Sequence, residues 1–436
     1  MQRRSCVCLV LSVFTLLIPA YAEEEPTWGS LIRQGNAAFN VQNLDDALRL
    51  FEQSLQMAGD APEFRALSNH NIGMTLQTRG EYGRAEAFYQ RAVEYWIKSD
   101  PRPVELMATT YSNYGDLLTD KHEFVRAKDL YSKALTIWKE SKVVNPSRIA
   151  FAKSKLASSY NLNGETVQAE ALLKEAIALL RSLPKPDATD LATSLDCLAK
   201  VYTYQYRFQE AEPLFHESMA LVESVFGIHD TIYAISLQNV ATMHRMAGNY
   251  ARAEPLLRKA AAIYQDKLGP QHPYLIMIWN EQGMIALAEK KYDMAASHMR
   301  DSYELSSKVF GPNHLRTTFA KGNLALAYLR AGKLRLAKQM YLEVLDAERN
   351  SPDVAREELA RTLGNCGQLA LMLQEKQEAE RYLREAVSIW RNAAPSHGRE
   401  LAATLQELAR ALKASHNPEA RQVEKEAKAF LETQRH

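Results

Sequence analysis

The sequence predicts an all-α solenoid, and three observations carry that prediction. An alanine recurs at Ala85, Ala127, Ala169, Ala211, Ala253, Ala295, Ala337 and Ala379, seven consecutive steps of equal length. Ala47 lies slightly less than one step upstream of the series, and a worn Ala420 slightly less than one step beyond it. A fixed period of this size marks a stack of repeated supersecondary units. Further columns keep step with the alanine, with a small residue twelve before it, a bulky one four after and a small one seven after. Finally, a chain of 436 residues that is 46% hydrophobic and 24% charged, with mean hydropathy −0.33, has globular values and calls for several domains or a repeat array.

Positions 1–22 read as a secretory leader. Arg3 and Arg4 supply a positive end, Cys6 to Ile18 a short apolar core, and Ala20 and Ala22 the small residues before a cut after Ala22. The apolar run is too short for a comfortable membrane span. The expected mature chain is therefore periplasmic or secreted, with no integral membrane segment. No Asn-x-Ser/Thr acceptor survives in it (Asn145 is followed by proline), which favours a bacterial periplasm. Without the leader arginines the balance is 51 basic to 52 acidic residues, unlike a nucleic-acid binder.

Repeats follow at about 28–60, 61–100, 101–143, 144–184, 185–227, 228–269, 270–311, 312–350 and 351–393, with a degenerate cap at about 394–436. Each reads as helix A, a short turn and helix B. In the second repeat, helix A is expected over Glu63–Thr78, the turn at Arg79-Gly80-Glu81, and helix B up to Lys98. The small column (Gly35, Gly73, Gly115, Ala157, Ala199, Ala241, Gly283, Ala325, Gly367) lets two antiparallel helices approach. The bulky column (Phe51, Tyr89, Tyr131, Leu173, Phe215, Leu257, Met299, Tyr341, Leu383) fills the space beside it. Gly80, Gly164, Gly248 and Gly332 end helix A in every second repeat, where a positive φ closes the helix. His122, Tyr206, Lys290 and Gln374 fill the alternate turns. Pro213 and Pro255 are expected near the start of their B helices, where a missing N–H is tolerated. The last helix carries Glu424 in the bulky column and a polar surface of Arg421, Lys425, Glu426 and Lys428, as a solvent-facing cap should.

The spacing of small residue, alanine, bulky residue and small residue resembles the tetratricopeptide repeat. The 42-residue period is similar to the kinesin-light-chain type. So are the segments QEAEPLFHES (Gln209–Ser218) and ARAEPLLRKA (Ala251–Ala260), and the connectors VFGIHD, KLGPQHP and VFGPNH around Gly227, Gly269 and Gly311. The resemblance covers roughly Trp28 to Phe430. It implies a right-handed α-α superhelix of nine to ten helix pairs whose A helices line a concave face and hold a protein or peptide partner.

Two residues before the small column stand Asn71, Asn113, Asn239, Asn323 and Asn365, with Lys155, Cys197 and Glu281 in the other copies. Asparagine is a poor mid-helix residue unless its side chain has something to bond. In related peptide-binding repeats asparagines at this place hold the backbone of an extended ligand, and the resemblance implies that role here. Read from the residues alone, they equally bond the neighbouring helix and fix repeat stacking, and the two roles are compatible. Lys200, Arg245 and Arg330 lie on the same expected face and suit an acidic or carboxylate-bearing peptide.

His229, His272 and His314 recur about one repeat apart in interhelix loops, a ladder rather than a converging metal cluster, so capping and loop packing are expected of them. Cys197 and Cys366 lie four repeats apart, too far for a disulfide, and are expected as free buried thiols. Neither Gly-x-Ser-x-Gly nor His-Glu-x-x-His occurs, and the repeats account for the chain. No catalytic, cofactor or metal residues are assigned. The expected function is an exported scaffold that binds a protein or peptide in its groove. The alternative is a structural component, a rigid spacer or self-associating subunit, of an envelope secretion or polysaccharide-export machine.

Overall fold

The computed structural model describes residues 27–41, 43–100, 103–121, 123–141, 145–351, 354, 356–392 and 398–433; the expected leader and the turn residue His122 lie outside them. The described residues form ten antiparallel helix pairs, and the chain divides into two compact units at Pro186 and Asp187. The first unit holds α1 (Trp28–Asn40), α2 (Leu44–Met57), α3 (Pro62–Thr78), α4 (Tyr82–Lys98), α5 (Val104–Asp120), α6 (Phe124–Glu140), α7 (Pro146–Leu162) and α8 (Thr166–Arg181). The second holds α9 (Ala188–Tyr204), α10 (Phe208–Phe226), α11 (Thr231–Met246), α12 (Tyr250–Leu268), α13 (Tyr274–Ala288), α14 (Tyr292–Phe310), α15 (Leu315–Arg330), α16 (Leu334–Asn350), α17 (Arg356–Met372), α18 (Lys376–Asn392), α19 (Gly398–Ala414) and α20 (Ala420–Thr433).

Odd-numbered helices are the A helices and even-numbered ones the B helices. The alanines from Ala47 to Ala379 are all completely buried where A and B cross. Packing is tight enough that a Cβ added at Gly115 would lie 2.6 Å from the Tyr131 ring, and one at Gly283 2.7 Å from Met299 Cγ. The small column therefore sits directly against the bulky one. Serines at the third column satisfy themselves across the crossing: Ser218 Oγ donates to the Ala192 carbonyl at 2.8 Å, and Ser302 Oγ to the Ile276 carbonyl at 3.1 Å.

Every described A–B turn takes one left-handed residue whatever its side chain. Gly80, Gly164, Gly248 and Gly332 have φ of 77°, 83°, 78° and 72°, and Tyr206, Lys290 and Gln374 have 61°, 62° and 63°. Loop geometry thus outweighs the preference for glycine. Pro213 and Pro255 lie in the second turn of α10 and α12 rather than the first. Both are exposed, so the carbonyl each leaves unpaired faces water, and the helices run on. The loop histidines differ in role. His272 and His314 accept backbone N–H groups through Nδ1, at 3.3 Å from Tyr274 and 3.0 Å from Arg316. In the repeat before, the equivalent cap is Asp230, at 2.7 Å from the Ile232 N–H, and not His229. Among the described residues no cluster of His, Cys, Asp and Glu could hold a metal ion, and no helix is long and apolar enough to cross a membrane. Cys197 and Cys366 are buried free thiols.

Within each unit neighbouring A helices approach one another directly (α1 to α3 to α5 to α7, and α9 to α11 onward to α19), while neighbouring B helices stand farther apart. The A helices therefore lie on the inner side of each unit's curvature, and the residues they present there form its inner face.

Candidate protein-binding face

The asparagine column follows a rule of position. Where it is bonded, each asparagine reaches the residue 43 positions upstream, on the preceding A helix. Asn113 Nδ2 donates to His70 Nε2 at 3.3 Å, Asn239 Nδ2 to the Asp196 carboxylate at 3.0 and 3.2 Å, and Asn323 Nδ2 to Asn280 Oδ1. These are the stacking bonds that the residues alone allow. Other side chains in the column tie neighbouring repeats too. Lys155 Nζ contacts the Asp116 carboxylate at 3.0 and 2.9 Å, and Glu281 receives Arg245 Nε at 2.5 Å.

The His70 rung shows how completely such a bond is specified. Thr110 Oγ1 receives the Trp96 indole N–H at 2.8 Å and gives its own proton to the Leu106 carbonyl at 2.8 Å. It can therefore only accept from His70 Nδ1, 3.0 Å away. The imidazole is left with its lone pair on Nε2, where Asn113 donates. Burial holds this histidine down at a pKa of about 4, so it is neutral at neutral pH.

Two asparagines lack such a bond for a visible reason. Opposite Asn71 the receiving column holds the buried aliphatic Ile32, since the first repeat is shorter than the rest, and opposite Asn365 it holds Gly322. Asn71 is buried; Asn365 is half-buried and has no hydrogen-bond partner among the described residues.

The predicted cations divide in the same way. Lys200 Nζ lies 2.5 Å from Asp196, the carboxylate that also receives Asn239, and Arg245 is committed to Glu281. Arg330, at the end of α15, is exposed and makes no ion pair among the described residues. In the second unit, then, the polar groups of α9, α11 and part of α13 neutralise one another. On α15 and α17 Asn323 is bonded too, while Arg330 and Asn365 stay open; Met372, one repeat period beyond Arg330, is exposed. A hollow between Lys338, Tyr341, Cys366 and Tyr382 encloses only about 10 Å³, the room of a single water. The inner face thus offers an extended surface for contact.

Comparison with known proteins agrees with this architecture. The family model for the tetratricopeptide repeat matches residues 29–102, 190–266, 274–350 and 322–392, together more than half of the chain. No curated protein matches it. Among solved structures, a Rap protein complexed with competence and sporulation factor is similar at 15% identity and a TM-score of 0.56, over 85% of this chain and 99% of that one. A signal-transduction ATPase with a tetratricopeptide repeat sensor from Pyrococcus horikoshii is similar at 18% identity and a TM-score of 0.53, over 81% of this chain and 52% of that one. BtubC (BKLC) from P. vanneervenii matches at 21% identity and a TM-score of 0.44, over 53% of this chain and 92% of that one. The alanine at each helix crossing, the paired helices and the matching family model lead to one assignment: the chain belongs to the tetratricopeptide repeat family.

Proposed function

We propose that this protein is an exported scaffold that binds a protein or peptide partner on the inner face of its repeats and performs no catalysis of its own. Repeat arrays of this family serve protein interaction, and many modest contacts on a preformed surface give such binding its affinity. The observation that carries the reading is Arg330, an exposed cation without an ion pair among the described residues, on a face whose other predicted cations are committed to carboxylates. An unpaired arginine, with the exposed Met372 at the equivalent position of the next repeat, fits a partner bearing a carboxylate and apolar side chains. The complex of the similar Rap protein with competence and sporulation factor is in keeping with a binding role. Export is supported by Arg3 and Arg4, the apolar run from Cys6 to Ile18, and the small residues Ala20 and Ala22.

The test compares the mature chain with its Arg330→Glu variant by pull-down from envelope extract, light scattering and thermal melting. An unchanged oligomeric state and Tm with loss of the captured partner supports the reading; equal capture by both proteins sinks it. Amino-terminal sequencing of protein recovered from the periplasm or medium should begin at Glu23, and retention of Met1 would refute export.

A second reading, self-association within an envelope assembly, is favoured by one feature. Phe226 and Leu268 stand one repeat period apart at the ends of α10 and α12, exposed to 37% and 39%, and Val309 near the end of α14 is exposed to 39%. This apolar edge lies away from the asparagine column, so light scattering of a Phe226→Asp, Leu268→Asp variant separates the two readings.

A further inference from the structure

Helices α10, α12 and α14 end alike. Each closes on a glycine, Gly227, Gly269 and Gly311, with φ of 82°, 89° and 89° and ψ of 167°, 163° and 160°. Each glycine N–H bonds the carbonyl four residues back, and each glycine carbonyl receives the N–H three residues on, at 3.4, 3.3 and 3.4 Å. A Cβ added at any of the three would meet no atom within 4 Å, so no described residue lies over the connectors on that side. Three connectors of one geometry, spaced by the repeat period, give the second unit a regular, preformed edge.

The apolar pattern on this edge is the same in both directions. The two positions before each glycine hold Val225-Phe226, Lys267-Leu268 and Val309-Phe310, so an aliphatic–aromatic pair stands at either end of the edge and a lysine–leucine pair between them. Val225 is 50% exposed, more than the Phe226, Leu268 and Val309 already described. Phe310 is half-buried because it stacks on His314, 4.8 Å between ring centroids, and lies under Arg316. Phe226 has Asp230 in place of that histidine and stays open. Charge, unlike the apolar pattern, gives the edge a direction. Glu223 is exposed at the first connector and Lys308 at the third, and neither makes an ion pair among the described residues; in the middle, exposed Asp266 and Lys267 pair with each other at 3.5 Å. Glu223 stands in the last turn of α10, where the helix dipole disfavours an acid, and a cation from outside the chain would relieve it.

Two copies can meet along such an edge about a two-fold axis in two ways. With the edges parallel each residue faces itself, so Glu223 faces Glu223 and Lys308 faces Lys308. With the edges antiparallel and the axis at Leu268, Val225 and Phe226 face Val309 and Phe310, and Glu223 faces Lys308 at both ends. The apolar pattern fits either arrangement. The charges fit only the second.

We propose that a second copy of this chain docks antiparallel on the ends of α10, α12 and α14, with Leu268 on the two-fold axis and Glu223 against Lys308 of the second copy. This rests on the reading of self-association and adds its symmetry and register. The three helix ends span roughly 20 Å, less than a standard interface, so the dimer is weak and forms as concentration rises.

Sedimentation equilibrium of the full mature chain, from micromolar to millimolar concentration, reads the association. The wild type should pass from monomer to dimer and no further, because a two-fold contact closes. Leu268→Asp brings two like charges together on the axis and should weaken the dimer about tenfold or more. Glu223→Lys and Lys308→Glu should each weaken it about fivefold, less at high salt, since each dimer holds two of these exposed pairs. Mixing the two charge variants should restore association, because every charge then faces its opposite. Tm identifies a variant that loses its fold, and the reversals at exposed Glu223 and Lys308 decide the outcome if Leu268→Asp does so. A wild type that stays monomeric throughout overturns both this proposal and the reading of self-association. Association that survives Leu268→Asp overturns the proposal and leaves self-association at another surface. Association that is lost on Leu268→Asp yet indifferent to both charge reversals overturns the antiparallel register. If the wild type is monomeric and captures an envelope protein that Leu268→Asp does not, the edge serves a different protein and the proposal falls.

Discussion

Asn365 stands 43 positions beyond Gly322, the same step that joins Asn323 to Asn280 and Asn239 to Asp196, and Gly322 has no side chain with which to receive it. One column of asparagines therefore does two things. Where the preceding helix offers an acceptor the amide is a rung between repeats, and where it offers glycine the amide is left for something else.

This division has a direct energetic consequence. Asn239→Ala removes two hydrogen bonds to a carboxylate and should destabilise the protein by about 1–3 kcal/mol. Asn365→Ala breaks nothing described and should fall within about 0.5 kcal/mol of wild type. Urea melts of the two variants decide the matter, and equal losses would refute the rung rule.

The helix crossings should be the least forgiving positions. Ala253→Leu introduces three carbons where no surface is exposed and should cost about 1–3 kcal/mol. Gly115→Ala should also destabilise, since its Cβ would lie 2.6 Å from the Tyr131 ring, whereas Gly364→Ala should stabilise by about 0.5–1 kcal/mol. Wild-type melting of Ala253→Leu would mean that the register is wrong.

Two buried groups, one in each unit, should give opposite pH dependences. Burial pushes Glu348 up to about 7 from an ordinary 4.5, with only Thr362 Oγ1 at 3.0 Å to satisfy it. The fold keeps this proton longer than the unfolded chain does, so its stability is full below pH 4.5 and declines as pH rises to 7, by about 3 kcal/mol. His70 is held down at about 4 from 6.5 by burial, so the first unit keeps full stability above pH 6.5 and loses it as pH falls toward 4. Glu348→Gln should abolish the alkaline part of the profile and leave the acid part. Melting curves from pH 4 to 8 that are unchanged by the substitution would contradict this.

Thiol chemistry gives an independent check on burial. Burial, with Glu348 nearby, pushes the Cys366 thiol up to about 12, so it should react slowly in the native protein at pH 8. Without the leader and without reductant, the unfolded chain should titrate both Cys197 and Cys366; any lower number would indicate a disulfide.

The architecture was legible because it is written in covalent steps. The alanines at every crossing and the residues that flank them repeat with the chain itself, and helix–helix contact follows from their size. Which atom Asn113, Asn239 or Asn323 would meet was not legible, because that depends on a one-residue shift between successive A helices. The shift makes the bonding step 43 where the sequence period is 42. Arg245 read as a ligand-binding cation for the same reason, since Glu281 becomes its partner only once the helices are stacked, whereas Asp196 lies four residues before Lys200 on the same helix and that pairing was open to reading. Two signals were present and unread. Gly322 and Gly364 are mid-helix glycines at the repeat period, and they mark where the rungs stop. Glu348, by contrast, sits in a charged stretch, Asp346 to Arg349, that gives no hint of its burial.

The glycine opposite Asn365 also sets how the array comes apart. In a stack whose members touch only their neighbours, cooperativity is transmitted interface by interface, like coupled spins on a line. An interface that lacks its rung is coupled more weakly than it would be with it, and across this one the bonds from Thr362 to Glu348, Arg349 to Glu385 and Lys338 to Glu375 remain. Fraying that starts at the carboxyl end should therefore run freely through α20 to α17 and pause at α16. Amide exchange would show it as a step in opening free energy between the eighth and ninth repeats.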